Sequence, residues 1–162
     1  QAILNGSNLD EQLRIMKLLV QMNDQPKRIE PAVVGLFSKR SLEEREKLRD
    51  IQTYAITVLG NTKSSSIKAI DYMISVLPNY GNDTDAAKEA LVKIGKPAVP
   101  SLMNRLDKTT DQDGGIQYQL LTILGKIGKD AMPAGKSIQR VLSLTRNSDV
   151  KYAAEAALQM IQ

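Results

Sequence analysis

The chain repeats itself. Three segments share one ending: Tyr-Ala-Ile-Thr-Val-Leu-Gly at 54–60, Lys-Glu-Ala-Leu-Val-Lys-Ile-Gly at 88–95 and Leu-Thr-Ile-Leu-Gly-Lys-Ile-Gly at 121–128. They close on Gly60, Gly95 and Gly128, and a last apolar segment closes at Ile161, one further period along the chain. The period is about 34 residues, which is typical of stacked supersecondary units rather than of a globule closed around one core.

The segments between the turns all have helical periodicity. Apolar residues recur at spacings of three and four, and no segment alternates with period two for long enough to predict a strand. We therefore predict an all-α protein, a right-handed α-α superhelix of about four helix pairs plus a terminal helix. One domain, 1–162, contains the predicted units, which are approximately 8–40, 41–78, 83–107, 114–146 and the terminal helix 149–162.

The individual helices follow from the same periodicity. They are expected at about 8–22, 29–39, 42–59, 65–77, 83–94, 97–107, 114–127, 131–146 and 149–162, with Gly128, Lys129 and Asp130 forming the turn before the eighth. We expect Gly60 and Asn61 to end the third helix by adopting left-handed backbone geometry. Asp83 or Thr84 is the predicted N-cap of the fifth helix, and Ser148-Asp149 that of the last.

Composition excludes much of enzymology. The 162 residues include no cysteine and no histidine. Thiolate nucleophiles, disulfides, Cys/His zinc sites and every Ser-His-Asp variant are therefore excluded, and we expect no enzymatic activity, no cofactor and no metal. The net charge of +4 is a mild basic bias, which is compatible with an acidic partner.

The compartment stays open. No apolar run approaches the 18 residues of a membrane span, and the N-terminus lacks the pattern of a signal peptide. Because the chain starts at Gln1 rather than Met, we expect that an N-terminal segment was removed, either by truncation or by processing such as export. The protein is expected to be soluble, and either cytoplasmic or exported.

Three stretches resemble the HEAT repeat family, specifically the short HEAT-like units common in bacteria and in bilin-lyase-type proteins. They are residues 90–102 (ALVKIGKPAVPSL), 127–133 (IGKDAMP) and 148–158 (SDVKYAAEAAL). The resemblance covers about 42–162, whereas the pair at 8–39 departs from it and is predicted to be a capping unit. Small residues such as Ala90 and Ala157 are expected to let the first helices of neighbouring units approach closely.

One loop has the residue types of a calcium site. Asp111, Asp113 and Gly114 place oxygens at alternate positions before a glycine, but a third ligand in register and the terminal Glu are absent. A solvated turn with an N-cap explains the same residues, and we favour it.

The second helix of each unit carries the candidate binding residues. The resemblance implies that these helices line the concave surface of a solenoid, where residues off the apolar stripe would face a partner. Eight such residues are predicted to bind a partner: Lys68, Tyr72, Asn104, Arg105, Lys108, Lys136, Gln139 and Arg140. Their basic members either solubilise a helix face or form a basic groove for an acidic peptide, protein or phosphate backbone.

Two functions fit these features. The first is a non-enzymatic scaffold that binds a protein partner, an acidic one included, on the concave face. The alternative is a nucleic-acid-binding HEAT-like protein, similar to DNA-repair glycosylases, that uses a basic concave groove, although base extrusion favours aromatic residues that are scarce here. The apolar face of the terminal helix, 149–162, is expected to fold back on the chain, to pair with another copy or to bind a missing segment.

Overall fold

The computed structural model describes residues 9–21, 45–79 and 81–162, and no strand occurs in these ranges. The α-helices are α1 (Leu9–Gln21), α2 (Arg45–Asn61), α3 (Ile67–Val76), α4 (Asn82–Ile94), α5 (Val99–Asp107), α6 (Gly114–Ile127), α7 (Gly135–Leu144) and α8 (Ser148–Met160). Short 3₁₀ segments occupy Lys96–Ala98, Asp111–Asp113 and Gly128–Ala134. The all-α prediction is confirmed for this part of the chain, while the helix predicted at 29–39 lies outside it.

The chain divides into two compact units, Gln1–Ala90 and Leu91–Gln162. In the first unit, α1 packs against α2, and α2 contacts α3. In the second unit, α8 packs against α6 and α7, and α5 contacts α6 and α7. Each of the helices α5 to α8 therefore lies against at least two others.

The apolar residues that recur at spacings of three and four are largely buried. Ala87, Ala90, Leu91 and Ile94 of α4 are all buried. An exception is Ile67, which is 69% exposed because it begins α3, before the buried residues of that helix. Aliphatic side chains supply almost all of this core, as the low aromatic content requires.

The turns correct the predicted role of Gly60. Helix α2 continues through Gly60 to Asn61, and Gly60 does not have positive φ. The left-handed residue that follows this helix is Lys63, with φ of 49°, while Gly95 and Gly128 have φ of 69° and 73°. The structural hinges Lys63, Gly95 and Gly128 are thus more evenly spaced along the chain than the three glycines that suggested the repeat.

Gly60 instead permits close contact between two helices. A Cβ placed on Gly60 would lie 2.7 Å from both Cα and Cβ of Ala90 in α4. In the second unit, a Cβ on Gly125 of α6 would lie 3.2 Å from Cα of Ala157 in α8. The close approach expected at Ala90 and Ala157 is therefore confirmed, and in each case a glycine on the facing helix makes it possible.

Two predicted helix caps are also corrected. Asn147 caps α8, because its Oδ1 accepts hydrogen bonds from the backbone N–H of Asp149 and Val150 at 2.9 and 3.2 Å. Helix α4 begins at Asn82, before either of its predicted N-caps. The hydroxyl of Thr84 is buried and lies 2.8 Å from the carbonyl oxygen of Asn79, so it joins α4 to the preceding turn.

The apolar face of α8 is covered within the chain. Val150, Ala153, Ala154 and Ala157 are buried, and α8 packs against α6 and α7. Ile161, just after the helix, is 3% exposed. Of the three outcomes expected for this face, the structure shows packing on the chain's own helices.

Candidate functional site

The second helices α5 and α7 can be aligned by the proline-alanine pair that precedes each of them. Pro97-Ala98 before α5 recurs as Pro133-Ala134 before α7, and the same offset relates Leu102 to Ile138. We call this offset the proline register. It is longer than the interval between the hinges Gly95 and Gly128, because the 3₁₀ segment has seven residues before α7 and three before α5. Surface positions on the two helices can therefore be compared residue by residue.

A groove of about 600 Å³ lies beside α5, and we call it the α5 groove. It is lined by Lys96, Val99, Pro100, Met103, Asn104, Asp107, Asp130 and Pro133. Val99 is buried and Met103 is half-buried, whereas Lys96, Asn104, Asp107 and Asp130 are exposed. The groove therefore combines an apolar floor with a polar rim of both charges.

The sequence forms this groove through one hinge. Gly95 adopts φ of 69° and ψ of −130°, a conformation that favours glycine and that reverses the chain. Pro97 lies in the 3₁₀ segment that follows, and Pro100 occupies the first turn of α5, where the missing N–H leaves no hydrogen bond unmade. These prolines fix the backbone at the start of α5. Met103 and Asn104, one turn later, line the groove.

A second groove, of about 780 Å³, lies beside α7, and we call it the α7 groove. It is lined by Met132, Pro133, Gly135, Lys136, Gln139, Leu158, Ile161 and Gln162. Its residues from Met132 to Gln139 are the counterparts, in the proline register, of Lys96 to Met103 in the α5 groove. The two grooves thus share one set of equivalent positions at the start of α5 and α7, while their remaining lining residues differ.

Arg140 is engaged within the fold. Its Nη2 donates a hydrogen bond to the carbonyl oxygen of Leu106 at 2.7 Å, and its Nε lies 3.5 Å from Oδ1 of Asp107. The carbonyl of Leu106 belongs to the last turn of α5, where a positive charge is stabilising. Arg140 therefore holds α7 to the end of α5.

A buried polar network adjoins this contact. The Thr109 hydroxyl donates to the carbonyl oxygen of Leu106 at 2.7 Å and accepts a hydrogen bond from Nε2 of Gln117 at 3.1 Å. Thr109 and Gln117 are 5% and 3% exposed, and Oε1 of Gln117 has no protein partner. The loop between α5 and α6 is fixed by these bonds.

The aspartates of the calcium-like loop both accept hydrogen bonds from within the protein. Asp113 accepts hydrogen bonds from the backbone N–H and the hydroxyl of Thr110, at 2.8 and 2.9 Å, and these bonds lower the pKa of its carboxyl. Asp111 accepts one from the N–H of Arg146 at 2.9 Å, which joins two inter-helix loops. In the described ranges no group of three or more Asp and Glu residues is placed to hold a metal ion.

Two of the eight predicted binding residues lie in the first unit, on α3. Lys68 is exposed and Tyr72 is half-buried. Burial, together with the negative charge of Asp83, raises the pKa of the Tyr72 hydroxyl to about 12.

The other six lie in the second unit. Asn104 lines the α5 groove, and Lys136 and Gln139 line the α7 groove. Arg105 is half-buried and Lys108 is exposed at the end of α5, while Arg140 makes the internal contacts described above. Four of the six thus lie in a groove or in a helix contact, whereas Arg105 and Lys108 line neither groove.

No binding role was predicted for five residues that line the α5 groove, which are Lys96, Met103, Asp107, Asp130 and Pro133. The proline-alanine pairs at 97 and 133 were the available signal, because they set the register that relates the two helices.

Charge also differs between the units. Residues 91–162 contain ten basic and six acidic residues, whereas 1–90 contain twelve of each, so the entire surplus of four positive charges lies in the second unit.

No helix within the described ranges has both the length and the hydropathy of a membrane span. No protein family, no curated protein and no solved structure matches the chain.

Proposed function

We propose that the protein is a non-enzymatic scaffold of the HEAT-like type, which binds a segment of another protein along its second helices, on the concave face of a solenoid. The α5 groove carries this proposal. Its floor offers apolar contact at Val99 and Met103, and its rim offers an amide and charges of both signs. A concave site with an apolar floor and few polar groups favours binding.

The partner is expected to enter with an apolar side chain over Met103 and Pro133. Asn104 is exposed on the rim, and its side-chain amide can both donate to and accept from a peptide backbone. Lys96 can pair with an acidic residue of the partner, whereas Asp130 favours a basic one. This rim suits a polypeptide of mixed charge better than a uniformly negative phosphate backbone.

The test is a matched pair of substitutions in the full chain. The partner is first identified by co-purification with the tagged protein, and its affinity is then measured with purified components. Met103→Glu should weaken binding at least about tenfold, because a carboxylate would replace an apolar contact on the groove floor. Met160→Glu is the control, since Met160 is 57% exposed and lies outside the α5 groove.

Equal affinities of the Met103→Glu variant and the wild-type protein would contradict binding in the α5 groove. Circular dichroism and denaturation of both variants show whether the fold is retained. Because Met103 is half-buried and Met160 exposed, Asn104→Ala provides a second test with an exposed residue. It should also weaken binding, by several-fold, if the rim amide bonds to the partner.

A further inference from the structure

The two hinges of the second unit have the same local sequence. Lys93-Ile94-Gly95-Lys96 recurs as Lys126-Ile127-Gly128-Lys129, and all four lysines are exposed. Gly95 and Gly128 have nearly the same backbone angles, with φ of 69° and 73° and ψ of −130° and −140°. Equivalent backbone therefore holds the lysines in both repeats. We call these four residues the flanking lysines, because they flank the two glycines.

The turn itself does not require the flanking lysines. In the first unit the corresponding turn is marked by Lys63, and Asn61 and Ser64 stand at the positions that the flanking lysines occupy in the second unit. Asn61 ends α2 and Ser64 is buried, so a turn of this kind forms with neutral residues at both positions. The lysines of the second unit thus need an explanation other than the turn.

Helix electrostatics explains two of the four. Lys93 and Lys126 lie in the last turns of α4 and α6, where a positive charge is favourable. Lys96 and Lys129 instead lie at the start of the 3₁₀ segments that run directly into α5 and α7, where the helix dipole disfavours a positive charge. Within the described ranges, neither Lys96 nor Lys129 forms an ion pair. Two lysines thus occupy unfavourable positions that the described fold does not compensate.

The flanking lysines also match the charge of the second unit. Residues 91–162 have a surplus of four positive charges, and the flanking lysines are four in number. Lys96 lines the α5 groove together with Asp130, the residue that follows Lys129. Because this groove brings the first hinge beside the segment after the second, the two hinges contribute to one positively charged surface.

We propose that the flanking lysines bind an acidic segment of a partner polypeptide. Its carboxylates lie against Lys96 and Lys129, and a residue without negative charge passes Asp130. A phosphate backbone cannot vary its charge in this way, and the flanking residues include no arginine, whose guanidinium binds phosphate through two hydrogen bonds at once. This binding deepens the proposed function and rests on it for the class of partner, since Lys96 belongs to both sites.

The probe is a fluorescein-labelled octaglutamate peptide, and its binding to the full chain is measured by fluorescence anisotropy at about 50 mM salt. The wild-type protein should give a saturable curve. Lys96→Glu combined with Lys129→Glu should weaken binding at least about tenfold. Lys136→Glu combined with Lys151→Glu is the control and should weaken it much less. It makes the same change in net charge at two exposed lysines that also lie near the starts of helices.

Stability separates binding by these lysines from a structural role. A carboxylate is favoured at the amino end of a helix, so the double variant Lys96→Glu/Lys129→Glu should keep or raise its midpoint of urea denaturation while it loses the peptide. A lower midpoint together with loss of binding would assign Lys96 and Lys129 to the fold and would overturn the proposal.

Asn104→Ala separates this site from the α5 groove. It should leave octaglutamate binding unchanged, whereas it should weaken binding of the native partner if the α5 groove holds that partner. Absence of saturable binding, or equal losses for the two double variants, would overturn the assignment of an acidic segment. Duplex DNA of random sequence that binds more tightly than octaglutamate, and that loses affinity only in Lys96→Glu/Lys129→Glu, would assign the lysines to nucleic acid and would equally overturn it.

Discussion

At the residue scale, three positions with positive φ mark turns between paired helices in the described part of the chain, and they are Lys63, Gly95 and Gly128. Gly95 and Gly128 have positive φ with ψ of −130° and −140°, a region that side-chain-bearing residues avoid. Lys63 holds the equivalent place with φ of 49°. A lysine tolerates this conformation only at a cost in free energy, so the first turn is not optimised for stability.

Substitutions at these positions should therefore have opposite signs. Lys63→Gly is expected to raise the free energy of unfolding by up to about 1 kcal/mol, because it removes left-handed strain. Gly95→Ala and Gly128→Ala should lower it by about 1–3 kcal/mol. Urea denaturation of the full chain measures all three, and a destabilising effect of Lys63→Gly would contradict the assigned hinge.

Glycines inside helices give a second comparison. A Cβ on Gly60 or Gly125 would press on the backbone of the facing helix, at 2.7 and 3.2 Å, whereas one on Gly115 would meet nothing within 4 Å. We expect Gly60→Ala to destabilise by about 1–3 kcal/mol and Gly125→Ala by less. Gly115→Ala, in the same helix as Gly125, should stabilise by about 0.5–1 kcal/mol, because alanine favours the helix. Stabilisation by Gly60→Ala in urea denaturation would contradict the close helix approach.

Tyr72 predicts a pH dependence. The pKa of its hydroxyl is about 12 in the folded protein, against the ordinary value of 10.0, so the unfolded chain ionises first as pH rises. The stability contributed by this group is fully present below pH 10 and is lost between pH 10 and 12. Tyr72→Phe should make the fall in stability over this window smaller than in wild type, as measured by urea denaturation at pH 9 and pH 11.5. Identical falls in the two proteins would contradict the shift.

At the element scale, the connection between α5 and α6 depends on side chains that satisfy one another. The carbonyl of Leu106 receives hydrogen bonds from both Thr109 and Arg140, and Thr109 in turn accepts one from Gln117. Removing one member of such a network leaves a buried group without a partner, which costs more than removing both members of a pair.

A double-mutant cycle tests this network. Thr109→Val should destabilise by about 1–3 kcal/mol, because Nε2 of Gln117 loses its acceptor. Thr109→Val combined with Gln117→Met should be less destabilising than Thr109→Val alone, since no buried amide then remains. Thr122→Val is the control, because the Thr122 hydroxyl bonds only to the exposed carbonyl of Tyr118. Additive losses in thermal and urea denaturation would show that the two side chains are independent.

The sequence predicts elements better than it predicts contacts between them. The buried face of α4 follows directly from periodicity, since burial of an aliphatic stripe decides where a helix packs. The role of Gly60 could not be read in this way, because a helix-ending glycine and a glycine at a helix crossing look alike until the facing Ala90 is known. The same holds for Arg140, whose acceptor on Leu106 belongs to the preceding repeat. The two grooves can be related only through the proline register. This offset was not evident from the sequence, because the interval between the hinges Gly95 and Gly128 is shorter.

At the scale of the whole molecule, charge is divided unequally. The first 90 residues are balanced, and the surplus of four positive charges belongs to residues 91–162, which contain both grooves. A positive surplus of this kind favours approach to negatively charged surfaces at long range, and it acts on rates of association more than on affinity. Asp107 and Asp130 interrupt the positive charge on the rim of the α5 groove.

This arrangement predicts weak, salt-sensitive binding to nucleic acid. We expect any binding of the full chain to duplex DNA at about 50 mM salt to be lost by about 200 mM, because few phosphates can be neutralised at once. A filter-binding series in increasing salt measures this loss, with a duplex of random sequence as the ligand. Binding that persists at the higher salt concentration, and that Lys96→Glu weakens, would instead favour the nucleic-acid alternative.

The 3₁₀ segments before α5 and α7 differ in length, and this difference indicates where the chain can gain or lose residues. The segment before α7 is longer than the one before α5, yet both lead into the same proline-alanine pair and the same apolar pattern. The additional residues thus lie in the 3₁₀ segment after the hinge. The spacing of the buried residues in the helix that follows is unchanged. Insertions and deletions in this protein are therefore expected to be tolerated at its hinges, where the distance between helices can vary while the set of residues facing the core stays the same.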